Sequence, residues 1–160
     1  MLDKDLNSLL EEEGEVAADY LEGFLDIVDL DGDIELDVKN DRAAVAVVGD
    51  PDELQRLIGT DGVVLDALQD LTRLAVQVRT GERTRLVLEI GDFRRKRTDG
   101  LTKMASAAVE KVQHTGQPED LEPMNAFERK VVHDFVSAAG LSSESHGADP
   151  YRYVTVNPVQ

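Results

Sequence analysis

The stretch Leu57-Ile58-Gly59-Thr60-Asp61-Gly62-Val63-Val64-Leu65-Asp66-Ala67-Leu68-Gln69 decides how the first half of the chain is read. Two glycines bracket two polar residues, with apolar residues at helical spacing on both sides. Glycine has no β-carbon, so Gly59 and Gly62 let the backbone turn sharply and let another backbone come close. A helix starting directly behind the turn offers unpaired amides and the positive end of its dipole to a phosphate. Helix, tight turn, helix is the local reading. Spacing leaves two uses of the turn open: a clamp for a sugar-phosphate backbone, or a plain stop at Gly59 with Thr60 or Asp61 capping the next helix.

Working outward, Leu6, Leu9, Leu10, Val16, Ala17, Tyr20, Leu21, Phe24, Leu25 and Val28 recur at three- and four-residue steps and predict an amphipathic helix with an acidic outer face. Residues 34–39 and 43–48 alternate like a hairpin around Asn40-Asp41. Asp29, Asp31 and Asp33 resemble the start of a calcium loop, but Asn40 stands where its closing glutamate belongs, so a turn is expected. Asp52 opens a short helix through Leu54, Leu57 and Ile58. Beyond the glycine turn, Val64, Leu65, Leu68, Leu71, Leu74, Ala75 and Val78 form the expected apolar stripe of a longer helix that Gly81 ends. Residues 85–90 alternate as a half-buried strand. The order is helix, strand, strand, helix, helix, strand.

A further helix follows Asp92, carrying Arg94, Arg95, Lys96 and Arg97 near its start and Leu101, Met104, Ala105, Ala108, Val109 and Val112 on its apolar face. Residues 116–123 hold two prolines and no helical period, and read as a linker. Asn125 caps another helix, with Glu128 at its third position and Phe127, Val131, Phe135 and Ala138 expected to be buried. Two strands, 141–145 and 151–156, close the chain. Within that helix Arg129 and His133 stand one turn apart on one face, where a phosphate or base can meet both. The competing reading pairs Arg129 with an acid and gives His133 an ordinary structural hydrogen bond.

The net charge of −16 argues at first against a nucleic-acid partner. Its distribution changes that view: residues 1–37 hold fourteen acids against Lys4, whereas residues 79–103 hold eight bases against four acids. No apolar run approaches the roughly 18 to 20 residues that cross a bilayer, so no stable membrane insertion is expected. The first ten residues lack a basic and apolar leader and there is no cysteine, so a cytoplasmic location is expected. Three dispersed histidines without cysteine predict no zinc site, and no cofactor is expected. With no nucleophile elbow, phosphate-binding P-loop or dinucleotide fingerprint, the chain is not expected to be an enzyme.

Over about residues 6–90, the glycine run and the element order closely resemble a type II KH domain. That resemblance implies a three-stranded sheet with helices on one face, and single-stranded nucleic acid held by the loop while about four bases lie in an adjoining groove. By position, Gly59, Thr60, Asp61 and Gly62 form the backbone clamp and Ile58 supports the groove. The two middle positions are often basic in RNA-binding members; here they are Thr60 and Asp61, and a carboxylate facing phosphate opposes binding. Arg56 and Arg73 are the candidate compensating cations.

The segment Met124-Asn125-Ala126-Phe127-Glu128-Arg129-Lys130-Val131-Val132-His133, followed by Ser142-Ser143-Glu144-Ser145 and Pro150-Tyr151-Arg152-Tyr153-Val154, is similar to the small Arg-x-x-x-His domain that binds single-stranded nucleic acid. Its site residues are then Arg129, His133 and Arg152. The two modules, joined by Asp92-Phe93-Arg94-Arg95-Lys96-Arg97, resemble the bacterial Jag family, also called KhpB or SpoIIIJ-associated proteins. The expected fold class is α+β: a KH domain at 1–91, a basic helix and linker at 92–123, and the rest of the Arg-x-x-x-His domain at 124–160, with the helix at 92–115 packing on it.

The resemblance implies a single-stranded RNA-binding post-transcriptional regulator linked to cell growth or elongation, with Arg94, Arg95 and Arg97 as further RNA contacts and a smaller KH-domain protein as a partner. A long N-terminal extension found in some members is not expected here. Two alternatives stay open, a KH-fold protein-binding scaffold with weak RNA affinity and a single-stranded DNA binder.

Overall fold

The computed structural model describes residues 2–159, with side chains from residue 5 onward. The fold is mixed α+β. In chain order its elements are α1 (Leu2–Val28), β1 (Asp33–Lys39), β2 (Arg42–Val48), α2 (Pro51–Ile58), a 3-10 turn (Thr60–Gly62), α3 (Val63–Thr80), β3 (Val87–Ile90), α4 (Phe93–Thr115), β4 (Glu119–Asp120), α5 (Ala126–Ala138), β5 (Ser142–His146) and β6 (Tyr153–Asn157). Among the described residues no helix is long and apolar enough to cross a membrane.

The chain divides into two compact units, Met1–Arg94 and Arg95–Gln160. In the first, β2 pairs antiparallel with β1 and parallel with β3, giving the sheet order β1-β2-β3. Alternate strand residues Ala43, Val45 and Val47 and Leu86, Leu88 and Ile90 are buried against Leu21 and Leu25 of α1, Leu54 and Leu57 of α2, and Leu65, Leu68 and Val76 of α3. All helices therefore cover one face, as period-two burial in the strands requires.

The stripe on α3 differs from expectation. Leu65, Leu68, Thr72 and Val76 are buried, while Val64 (39% exposed), Leu71 (49%), Leu74 (57%) and Val78 (87%) face out. The apolar arc of α3 is wider than the strip the sheet covers, so periodicity alone does not locate the buried line.

In the second unit β6 lies between β4 and β5, antiparallel to both. Leu101, Ala105, Ala108, Val109 and Val112 of α4 pack with Val132 and Val136 of α5 and with Val154 and Val156 of β6. The segment expected as a linker is part of this unit: Glu119 and Asp120 pair with Val156 and Thr155, and the Leu121 amide donates to the Val154 carbonyl at 2.9 Å. Its prolines bar a helix but not backbone pairing along β6. The buried side of α5 is also rotated from expectation, to Glu128, Arg129, Val132 and Val136, leaving Phe127 68% exposed and Ala138 exposed.

Candidate nucleic-acid interface

The glycine turn is built by local chemistry. Asp50 caps α2 by accepting from the Asp52 amide at 2.8 Å, Pro51 fills the first helical position, and Gly59 ends the helix at φ 73° with its amide on the Gln55 carbonyl. Asp61 (φ 53°) and Gly62 (φ 79°) are left-handed as well. A β-carbon on Gly59 would lie 2.5 Å from Val64 Cγ2, and one on Gly62 would lie 2.6 Å from the Phe93 ring. Gly62 is buried beneath that ring, so Thr60 and Asp61 are the exposed residues of the turn. Ile58 is buried behind it, and Arg56 stands exposed in the last turn of α2.

Next to the turn lies β3, an edge strand whose outward backbone groups would otherwise meet water. Side chains meet them instead. Arg73 Nε donates to the Leu86 carbonyl at 2.7 Å, the Leu88 amide donates to Gln69 Oε1 at 3.1 Å, and Arg94 Nε donates to the Leu88 carbonyl at 2.9 Å. Arg94 also reaches Gln69 Oε1 at 3.2 Å and Asp66 Oδ1 at 3.1 Å. Arg73 and Arg94, far apart in sequence, thus meet at one sheet edge. Burial lowers the Arg73 guanidinium below its ordinary value; Asp70 opposes this, and the positive charges of Arg42 and Arg94 add to it. Arg73 also lines a groove of about 330 Å³ with Asp70, Leu74, Gln77, Arg83 and Thr84.

In the second unit the Arg-x-x-x-His pair is deeply engaged. Arg129, 9% exposed, donates from Nη1 to the Met124 carbonyl at 2.7 Å and to Asp149 Oδ1 at 3.3 Å. Arg152 Nη1 donates to the Gly147 carbonyl at 2.7 Å. Both arginines therefore converge on the β5–β6 connection. His133 sits between two hydroxyls of one face of β5, with Nδ1 2.6 Å from Ser143 Oγ and Nε2 2.8 Å from Ser145 Oγ. A neutral imidazole must accept from one serine and donate to the other. The structural reading of this pair describes its hydrogen bonds, though neither group is thereby removed from a ligand's reach.

The basic run at the start of α4 does not act as one patch. Arg94 is committed to the β3 edge, while Arg97 Nε donates to Glu128 Oε1 at 2.6 Å. The other Glu128 oxygen accepts from the Asn125 amide at 3.1 Å, completing the cap of α5. Arg95 and Lys96 are exposed.

The matches to known proteins fall on these same elements. The family model of the Arg-x-x-x-His domain, R-x-x-x-H in one-letter code, matches residues 99–158, spanning most of α4 and all of β4, α5, β5 and β6. Over 142 residues the chain is 29% identical to RNA-binding protein KhpB of Clostridium symbiosum, covering 88% of this chain and 64% of that protein. It is 30% identical over 139 residues to RNA-binding protein KhpB of Lactiplantibacillus plantarum (86% and 42%), and 31% identical over 146 residues to that of Streptococcus pneumoniae strain D39 (89% and 44%). The chain belongs to the KhpB family. It spans between 42% and 64% of the length of these three relatives.

Within this KhpB-family chain, the expected site residues fall into two groups. Arg73 and Arg94 meet at the β3 edge in the first unit, beside the turn of Gly59, Thr60, Asp61 and Gly62. Arg129 and Arg152 meet at the β5–β6 connection in the second, with His133 one helical turn along α5. The sequence reading omitted Gln69, which bridges strand and arginine, and Arg42 and Arg83, which add charge around Arg73. A readable signal for Gln69 existed: Asp66, Gln69 and Arg73 form a polar line at three- and four-residue steps on an otherwise apolar helix.

Proposed function

We propose that this chain binds single-stranded RNA at two places, the turn and β3 edge of its first unit and the Arg129, His133 and Arg152 surface of its second, as a post-transcriptional regulator of cell growth or elongation. The observation that carries this reading is the gathering of Arg42, Arg73 and Arg94 around one sheet edge beside a turn whose exposed tip is Thr60 and Asp61, in a chain of net charge −16. An acidic protein that concentrates cations at one place favours an anionic polymer there. RNA rather than DNA is favoured because the relatives are named RNA-binding proteins. Two sites on one chain raise each other's effective concentration, so individually weak contacts suffice. The proposed location is the cytoplasm.

Competition tests the reading. A labelled single-stranded RNA bound to the chain is challenged with unlabelled RNA or DNA of the same sequence while salt is varied. RNA is expected to compete better, and Arg73→Gln to reduce the slope of log affinity against log salt by about 0.7, the value for one phosphate contact on a single strand. Equal competition by DNA returns the single-stranded DNA reading. Absence of binding at low salt returns the scaffold.

One observation favours an added protein-binding role. Val64, Leu71, Leu74 and Val78 form an exposed apolar line along α3, which a smaller KH-domain protein can cover. Leu74→Glu should then abolish co-elution with such a protein while RNA binding persists; unchanged co-elution removes this role.

A further inference from the structure

The chain has four phenylalanines and three tyrosines, and among the described residues only Phe127 (68%) and Tyr151 (76%) are more than two-thirds exposed. The other five are partly buried. A single exposed aromatic ring is ordinary in a folded protein. These two share a setting that is not. The Met124 amide donates to the Arg152 carbonyl at 3.1 Å, and Arg129 ties Met124 to Asp149, so the chain entering α5 runs alongside the chain leaving the β5–β6 connection. Phe127 lies two residues past the Asn125 cap on the first of these segments, and Tyr151 lies next to Arg152 on the second.

Both backbones are held before any ligand arrives. The reciprocal capping bonds between Asn125 and Glu128 fix the first turn of α5, at 2.9 and 3.1 Å. The Tyr151 amide on the Ala148 carbonyl at 2.9 Å and Arg152 on the Gly147 carbonyl fix the other segment. Cations surround them: Arg129 and Arg152 beneath and beside the loop, and Lys130 next to Phe127. The nearby acids Asp149 and Asp134 are paired with Arg129 and Lys130.

We infer that Phe127 and Tyr151 are a base-stacking platform of the second unit, each ring receiving an unpaired base of a single-stranded RNA while the neighbouring cations meet its phosphates. Exposed rings on fixed backbone, set among cations, have the chemistry of sequence-tolerant single-strand binding, because every base has a π face. The inference rests on the RNA-binding reading above. It assigns the apolar half of the interface, for which Arg129, His133 and Arg152 provide only polar groups.

The test uses the whole chain with labelled oligoadenylate and oligouridylate. Phe127→Ala and Tyr151→Ala should each weaken binding about tenfold, the size expected of a lost stacking contact, with the salt slope unchanged. Phe127→Leu should not restore affinity, whereas Tyr151→Trp should retain it. As the native chain contains no tryptophan, the Tyr151→Trp indole is a unique probe, and stacking of a base should quench its emission on RNA saturation. Wild-type affinity in both alanine variants, restoration by leucine, or unquenched emission would each overturn the platform while leaving RNA binding intact. If the wild-type chain binds neither oligonucleotide, the RNA-binding reading falls and the platform with it.

Discussion

Gly62 meets two demands at once, a left-handed backbone and a Phe93 ring edge where a β-carbon would have to stand. Gly81 shares the φ of 79° but has nothing within 4 Å of the place a β-carbon would take. The pair separates conformational strain from steric conflict. Gly81→Ala should lower stability by about 1 to 2 kcal/mol, the cost of left-handed geometry for an L-residue. Gly62→Ala should cost clearly more, and adding Phe93→Ala should recover part of the excess; denaturant unfolding measures all three. Equal losses at the two glycines would show that Phe93 does not press on the turn. Substitutions at Gly62 thus disturb folding as well as binding, so Thr60, exposed at the tip, is the cleaner place to perturb RNA contact.

At the scale of elements, β3 shows how an edge strand is protected by side chains rather than by another strand. The Leu88 amide has Gln69 as its acceptor, and Gln69 also receives Arg94. Gln69→Ala should therefore accelerate hydrogen exchange at the Leu88 amide selectively, leaving β2 amides protected by their pairing with β1 and β3. Unchanged exchange at Leu88 would mean that the side chain does not hold the edge. The element order was legible because apolar periods of two and of 3.6 residues separate strands from helices along residues 6–90. Which face each helix buries was less legible. On α5, Glu128 and Arg129 are buried because the first is bonded to Asn125 and Arg97 and the second to Met124 and Asp149; hydropathy ranks both as surface residues, so the expected buried line shifted onto Phe127. Strand β4 escaped notice for a related reason, since its two residues are held by pairing with β6 and by the Thr155 hydroxyl on Asp120 at 2.6 Å, none of which leaves an apolar pattern.

Across the whole molecule, charge is sorted along the chain. Residues 1–37 carry nearly all the net negative charge, while the candidate RNA contacts lie between Arg56 and Arg152. The glycine run and the Arg-x-x-x-His spacing made both sites visible in sequence. Their partners at the β3 edge and at the β5–β6 connection were not visible, because they are assembled by tertiary contacts between residues distant in the chain. Two RNA-contacting surfaces on one chain is the central claim. Its most direct test is photocrosslinking of a single-stranded RNA to the intact chain, with the adducts mapped by mass spectrometry. Adducts are expected both within residues 56–94 and within residues 127–152, and not on α1. Adducts confined to one of these regions would contradict the two-site account, and no adducts above background in either would contradict RNA binding itself.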